Sequence, residues 1–225
     1  MCYTSEVSRN AFVINIISCV ALLVLANKKL EYDPELKTQY VVVALFFLFV
    51  GLMQLFDYIF WTNSASSSIN QTTTKIAMIS NHLQPIVLTL LVVFVMNKKL
   101  DFLCKLIVGL YVVVVITYSA SNWNKLDGTQ KTAQSGDSLN WSWNHFKHSE
   151  LLYTLFLASL VVLFYKNFSN SQVRVVSVLV VILSFFFSLW KYQIKRSTGR
   201  FWCYFASLIP IIYLGLLINH QPVNQ

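Results

Sequence analysis

Charged residues are scarce in this sequence. They make up 12% of its 225 residues, whereas soluble domains carry about 25%. Hydrophobic residues make up 56% of the chain. A soluble protein of this size could not bury so much apolar surface, because its surface is too large relative to its volume. The composition therefore excludes an ordinary soluble domain and favours an integral membrane protein.

Cysteine is also scarce, and the four cysteines are too few for a disulfide scaffold. Cys2 and Cys203 are both expected near the outer surface, where they could pair. The net charge is +8, but the basic residues form short clusters between apolar runs, such as Lys28-Lys29 and Lys98-Lys99. That pattern fits lipid headgroups better than nucleic acid. The expected partner is therefore a lipid bilayer, with no nucleic acid, and a homo-oligomer stays open.

Long apolar runs dominate what remains. A bilayer core needs about 17–25 helical residues to cross it, and backbone polar groups in lipid must pair within the segment. The runs do not alternate as strands of a membrane barrel do. We therefore predict an all-α polytopic membrane protein, a bundle of seven transmembrane helices forming one domain over residues 1–225. The predicted spans are 11–27, 40–62, 76–97, 100–120, 150–167, 173–192 and 200–218.

Two longer polar segments, 63–75 and 121–149, are predicted to be loops on one side of the membrane. The lysine pairs at 28–29 and 98–99 lie on the opposite side, and the first spans usually dominate orientation. We therefore expect an exoplasmic N-terminus and a cytoplasmic C-terminus, although the basic residues of 191–200 argue the other way. Glycosylation sequons at Asn70 and Asn140 fall in the two outer loops, and a third, at Asn167, falls inside.

Polar residues inside two spans mark the candidate site. An acid at bilayer depth is costly and is a functional hypothesis by default. Asp57 lies near the outer end of span 2, on one helix face with Gln54, Tyr58 and Trp61. We expect this face to point at other helices.

Span 3 carries the other half of the site. Asn81 and Gln84 share a face, and His82 is turned about 100° away. Pro85 has no N–H, so the carbonyl of Asn81 loses its helical partner. Since both stretches lie toward the outer ends of their spans, we expect one polar pocket that opens outward. The predicted ligand-binding or polar cluster is Gln54, Asp57, Tyr58, Trp61, Asn81, His82, Gln84, Pro85 and Trp202.

These residues also have simpler, structural interpretations. The amides are also typical of hydrogen bonds that hold membrane helices together. Trp61, Trp141, Trp143 and Trp202 are typical of an aromatic belt at the membrane surface. Pro85 and Pro210 occupy similar positions in spans 3 and 7, as in transporters with internal repeats.

The segments Met-Gln-Leu-Phe-Asp-Tyr-Ile-Phe-Trp (53–61) and Asn-His-Leu-Gln-Pro (81–85) resemble those of an uncharacterised family of seven-helix membrane proteins. That family is encoded by giant viruses and related protist genomes. Trp202-Cys203 is similar to a Trp-Cys pair that precedes the last span in that family. Asp57 stands where the family usually has Glu, one methylene longer. The resemblance implies the seven-helix architecture and a virion or host internal membrane, and it implies no activity.

Three functions stay open. The leading hypothesis is a membrane protein that binds or transports a small polar solute, with Asp57 carrying charge or a proton and the amides orienting the solute. The alternative is a structural or partner-binding protein of a viral or internal membrane. A third is a metal-dependent membrane hydrolase using His82, His145 and His148, whose residue types suit zinc although their spacing is loose. The sequence indicates no catalytic residue, no defined metal site and no cofactor.

Overall fold

The computed structural model describes residues 4–132, 138–192 and 198–220, without the side chains of 132, 138, 188–192 and 198–201. Seven long α-helices account for most of these residues, which confirms the all-α prediction. The helices are α1 (Ser5–Lys29), α2 (Pro34–Thr62), α3 (Ser68–Leu90), α4 (Phe102–Asn122), α5 (Ser149–Asn167), α6 (Ser171–Tyr192) and α7 (Thr198–Asn219). A π-helical turn, Leu91–Val95, continues α3.

Six helices are long and apolar enough to cross a membrane by length and composition. The remaining one, α6, is apolar over Ser171–Phe187, the part whose side chains the structure describes. The outer faces of the helices carry exposed aliphatic side chains, such as Ile17 and Ile116, each 63% exposed. Such faces are unfavourable in water and favourable in lipid, so the bundle is compatible with an integral membrane protein.

Side-chain caps fix where four helices begin. In each case a Thr, Asp or Ser just before the helix accepts a hydrogen bond from a backbone N–H in its first turn, which satisfies a donor that has no partner within the helix. The caps are Thr4 of α1, Asp33 of α2, Ser67 of α3 and Asp101 of α4. These caps place the connections between helices outside the apolar segments.

The helices pack as a closed ring in which α2 and α7, the two neighbours of α1, also contact each other. α1 contacts α2 and α7; α6 contacts α5 and α7; α4 contacts α3 and α5. α2 is the most deeply buried of the six candidate spans. We call the end that holds Lys29, Lys98 and the C-terminus of α7 the lysine end, and the opposite end the hairpin end.

Two features at the hairpin end differ from the prediction. The segment 63–75 was expected to be a loop, but α3 already begins at Ser68, because its polar first turns bond to the loop after α4 instead of to water. That loop contains a two-stranded antiparallel hairpin, β1 (Gln130–Thr132) and β2 (Ser138–Asn140). It then makes a 3-10 turn, Ser142–Asn144, before α5.

Candidate functional site

Asp57 lies inside the bundle with none of its surface exposed. Its Oδ1 atom accepts a hydrogen bond of 3.0 Å from the indole N–H of Trp141. Trp141 stacks on Trp143 with 4.9 Å between ring centroids, and both indoles are fully buried. We call residues 141–144 the cap turn, because it covers the acid from the hairpin end.

The tryptophans correct one prediction. Trp141, Trp143 and Trp202 were expected in an interfacial belt, but none of the three is exposed. The belt interpretation is wrong for them because the indole N–H groups of Trp141 and Trp202 donate to polar side chains inside the bundle. Trp61 is half-buried and carries the ammonium of Lys131 5.7 Å from its ring centroid, as suits a residue at the rim.

Asn81 and Gln84 of α3 point together toward α5 and α7, as their shared face predicted. The Gln84 Oε1 atom accepts from the indole N–H of Trp202 at 2.7 Å, and its Nε2 atom donates to the Cys203 sulfur at 3.9 Å. The Cys203 thiol donates to Asn81 Oδ1 at 3.7 Å, and Asn81 Nδ2 donates to the Tyr153 hydroxyl at 3.1 Å. Two amides of α3 thus connect α7 to α5.

The cap turn connects the acid of α2 to the amides of α3. Trp141 donates to Asp57, and Asn144 accepts from Tyr153, which in turn accepts from Asn81. This places the two polar stretches of the sequence in one cluster, close to the hairpin end. Gln54, one turn before Asp57, is fully buried as well, whereas Tyr58 and Trp61 are only half-buried.

His82 faces α4, away from the two amides, as its position on α3 predicted. Its Nδ1 atom lies 3.4 Å from the Ser119 hydroxyl, and its ring meets the rings of Tyr118 and Tyr153 edge-on. His82 is 2% exposed. Pro85 lies inside α3 and is buried, and its carbonyl accepts from the Thr89 hydroxyl at 2.8 Å.

Hydrogen bonds from two helices hold the cap turn. The Tyr118 hydroxyl of α4 donates to the carbonyl of Trp143, and the Tyr153 hydroxyl of α5 donates to Asn144 Oδ1. The Ser142 hydroxyl donates to the carbonyl of Asp127 at 2.9 Å. The polar cluster is therefore closed at the hairpin end, where the sequence led us to expect an opening.

A second contact anchors the loop further out, on α3. The backbone N–H of Thr129 donates to Asn70 Oδ1 at 2.8 Å, and Asn70 Nδ2 donates to the carbonyl of Thr129 at 3.1 Å. The hydroxyls of Thr74 and Thr129 are 3.0 Å apart. Asn70 is fully buried by these contacts, so its sequon has no accessible amide for a glycan in the folded protein. Asn167 is buried too.

The metal hypothesis finds no support in the described part of the chain. Within it, no group of three His, Cys, Asp or Glu residues is placed to hold a metal ion. His145 and His148 are exposed, and His145 contacts Asn140, while His82 lies buried against α4. Cys203 is a free, buried thiol, and its suggested partner Cys2 lies outside the described residues.

An apolar groove between α6 and α7 is a separate feature. Leu183, Phe187 and Ile212 are among its walls, and its lining is almost entirely hydrocarbon. It offers a small polar solute little to bind, so the polar cluster is the stronger candidate.

Sequence reasoning missed two members of the cluster. Asn144 gives no signal in the sequence, because it lies in a loop rich in polar residues and its role depends on contacts with distant helices. Cys203 could have been found from its place after Trp202 in the Trp-Cys pair. The sequence also gives no sign of the bridging position of Tyr153 between Asn81 and Asn144.

The side chains brought together are amides, phenols and indoles around one carboxylate. Such groups bind and orient polar molecules through hydrogen bonds in an otherwise apolar enclosure. Comparisons of the chain with protein-family models, with curated proteins and with solved structures give no match. The function of the protein is therefore inferred from the residues of the polar cluster.

Proposed function

We propose that the protein crosses the membrane seven times and that its polar cluster is a closed binding site for a small polar solute, which the protein binds or transports. The contact between Trp141 and Asp57 carries this proposal. A buried acid at membrane depth is costly, and this one is met by a donor on a loop. Movement of that loop would open the acid to water from the hairpin end.

Each part of the site has a role in this proposal. Asp57 carries charge or a proton when the solute is present. Asn81 and Gln84 orient the solute through their amide groups, and the cap turn excludes water. The site is built on helix faces and covered by a loop, which is a common division between a rigid scaffold and a mobile cover.

The proposal includes the topology. The apolar surface of α6 up to Phe187 supports it as the seventh span. The lysine pairs at 28–29 and 98–99, beside the first three spans, favour a cytoplasmic lysine end and an exoplasmic hairpin end, because the first spans usually dominate orientation. Membership of the viral and protist family is proposed on the residues quoted above, several of which meet in the cluster.

Measurement of solute flux through the Asp57→Asn variant tests the proposal. The wild-type protein in proteoliposomes should admit at least one of urea, glycerol and acetamide, measured as swelling by light scattering. Asn keeps the Oδ1 acceptor that Trp141 uses but removes the charge, so we expect this variant to lose the flux and to melt close to the wild type. Flux that is unchanged by the substitution would contradict the role of Asp57.

A second variant, Trp141→Phe, tests the role of the cap turn. It keeps the ring stack but removes the N–H that Asp57 accepts, so the cap turn should open more often and flux should rise. A drop in melting temperature with no flux in any of the proteins would contradict solute passage.

That last result would favour the second candidate, a structural protein of a viral or internal membrane. One observation supports it: the protein contains buried amides that only join helices. Asn15 of α1, for example, donates to the carbonyls of Phe47 and Ser207 at 3.2 and 2.9 Å, and so ties α1 to α2 and α7. Such a role predicts loss of stability on substitution and no effect on solutes.

A further inference from the structure

The hydrogen bonds of the polar cluster form one continuous series with a single direction. It begins at the indole of Trp202 in α7 and ends at the amide of Asn144 in the cap turn. Each member donates to the next. The members in order are Trp202, Gln84, Cys203, Asn81, Tyr153 and Asn144.

Trp202 fixes the direction of the first step. An indole N–H can donate but cannot accept, so Gln84 must present its oxygen to Trp202 and its NH2 group to Cys203. The reverse orientation would set two donors against each other at the first step. In the structure the thiol then donates to Asn81, and Asn81 donates to Tyr153. All five hydrogen bonds therefore run in the same direction.

The far end of the series is an unused donor. Asn144 Oδ1 accepts from Tyr153, which leaves the Nδ2 hydrogens pointing onward. Nδ2 is buried, in a residue that is 1% exposed, and has no hydrogen-bond partner among the described residues. A buried donor without an acceptor is rare in native proteins and calls for an explanation. Successive hydrogen bonds also polarise one another, which strengthens the last donor.

A second unused polar atom lies in the same region. His82 Nε2 is buried and has no partner among the described residues. The His82 ring lies 6.4 Å from the ring of Tyr153, the residue that donates to Asn144. Two residues with unsatisfied groups, one in the cap turn and one on α3, therefore border the same phenol.

We propose that Asn144 Nδ2 and His82 Nε2 are the contact points for a carbonyl or carboxylate oxygen of the solute. This inference rests on the proposed function, because it names the chemical class that the closed site accepts. A molecule that offers only donors would leave Asn144 unsatisfied and would not bind there.

Binding of acetamide and acetate to the full chain in lipid nanodiscs tests the inference. The fluorescence of Trp141 and Trp143, which adjoin Asn144, reports occupancy. We expect at least one of the two solutes to bind, and methylammonium, which offers only donors, to bind far more weakly. The neutral and the anionic probe show which oxygen chemistry the site prefers.

Asn144→Asp is the decisive variant. It keeps the oxygen that Tyr153 uses and replaces the free donor with an acceptor. The affinity for the bound probe should fall about tenfold or more, since a buried donor is lost. Asn10→Asp makes the same change at an exposed position of α1 and should leave the affinity unchanged.

Trp202→Phe tests the direction of the series from its remote end. It leaves Asn144 in place but allows the Gln84 amide to reverse its orientation. The affinity for the probe should therefore fall, as it does in Asn144→Asp. If neither variant alters the affinity of a probe that binds the wild type, this inference is wrong and the closed site remains. If no probe binds the wild type and no solute crosses it, both proposals fail together.

Discussion

At the scale of single residues, one glycine makes a close contact between α1 and α2 possible. Asn15 of α1 reaches two carbonyls of neighbouring helices only because Gly51 of α2 has no side chain beside it. A Cβ atom at Gly51 would lie 2.1 Å from Asn15 Oδ1. The amide is fully buried, so displacing it would leave polar atoms unsatisfied in an apolar core.

We therefore predict that Gly51→Ala lowers the free energy of unfolding by about 1–3 kcal/mol, the usual range for overpacking. Thermal unfolding in detergent measures it. Gly109→Ala is the control, because a Cβ atom there meets nothing within 4 Å. It should stay within about 1 kcal/mol of the wild type. Equal effects of the two substitutions would contradict the contact between Asn15 and Gly51.

At the scale of elements, the loop between α4 and α5 is docked twice. The cap turn sits on Asp57, and Thr129 sits on the first turns of α3. Gly128 lies against the α2–α3 connection, where a Cβ atom would come 2.0 Å from the carbonyl oxygen of Ala65. The oxygen belongs to the backbone, so it cannot move aside as a flexible side chain would.

Gly128→Ala should therefore release the outer part of the loop. Trypsin should then cleave faster after Lys125 and Lys131, both exposed residues of this loop, because local opening governs proteolysis. Gly215→Ala in α7, where a Cβ atom meets nothing within 4 Å, should leave the cleavage rate unchanged. A rate for Gly128→Ala equal to that of the wild type would show that the loop is not held at this point.

The helices show which features of the structure can be predicted from the sequence. Composition and apolar run length predict the helices, because a backbone in lipid must form a helix or a closed barrel and these runs do not alternate as barrel strands do. The spacing of Asn81 and Gln84 places them on one face, away from His82, and the structure confirms both statements. These are local properties of a helix.

What the sequence does not predict depends on contacts between distant segments. The burial of Trp141 depends on a partner 84 positions away, and no periodic pattern encodes it. The polar start of α3 resembles a loop because its partner, Thr129, lies in another connection. The direction of the hydrogen-bond series depends on how all six residues are arranged in the fold, and the sequence does not show that arrangement.

At the scale of the whole molecule, the two ends of the bundle differ in the contacts that hold them together. The lysine end is tied together by side chains on backbone carbonyls, such as Lys29 on Leu217 and Ile218 and Lys98 on Asn167. The hairpin end is closed by a loop over a polar core. Under the proposed function, this asymmetry predicts that the part that moves is the loop at the hairpin end.

The modification rate of Cys203 tests this account most directly. The thiol is buried inside the cluster, so a small water-soluble thiol reagent reaches it only when the cap turn opens. Cys2, Cys19 and Cys104 would be replaced by alanine and the protein held in nanodiscs. We predict slow modification in this protein and a rate about tenfold higher when it also carries Trp141→Ala. Loss of a closing contact worth about 1.4 kcal/mol raises the fraction of molecules with an open cap turn about tenfold. Equal rates in the two proteins, whether fast or undetectable, would contradict a closed site beneath a movable cover.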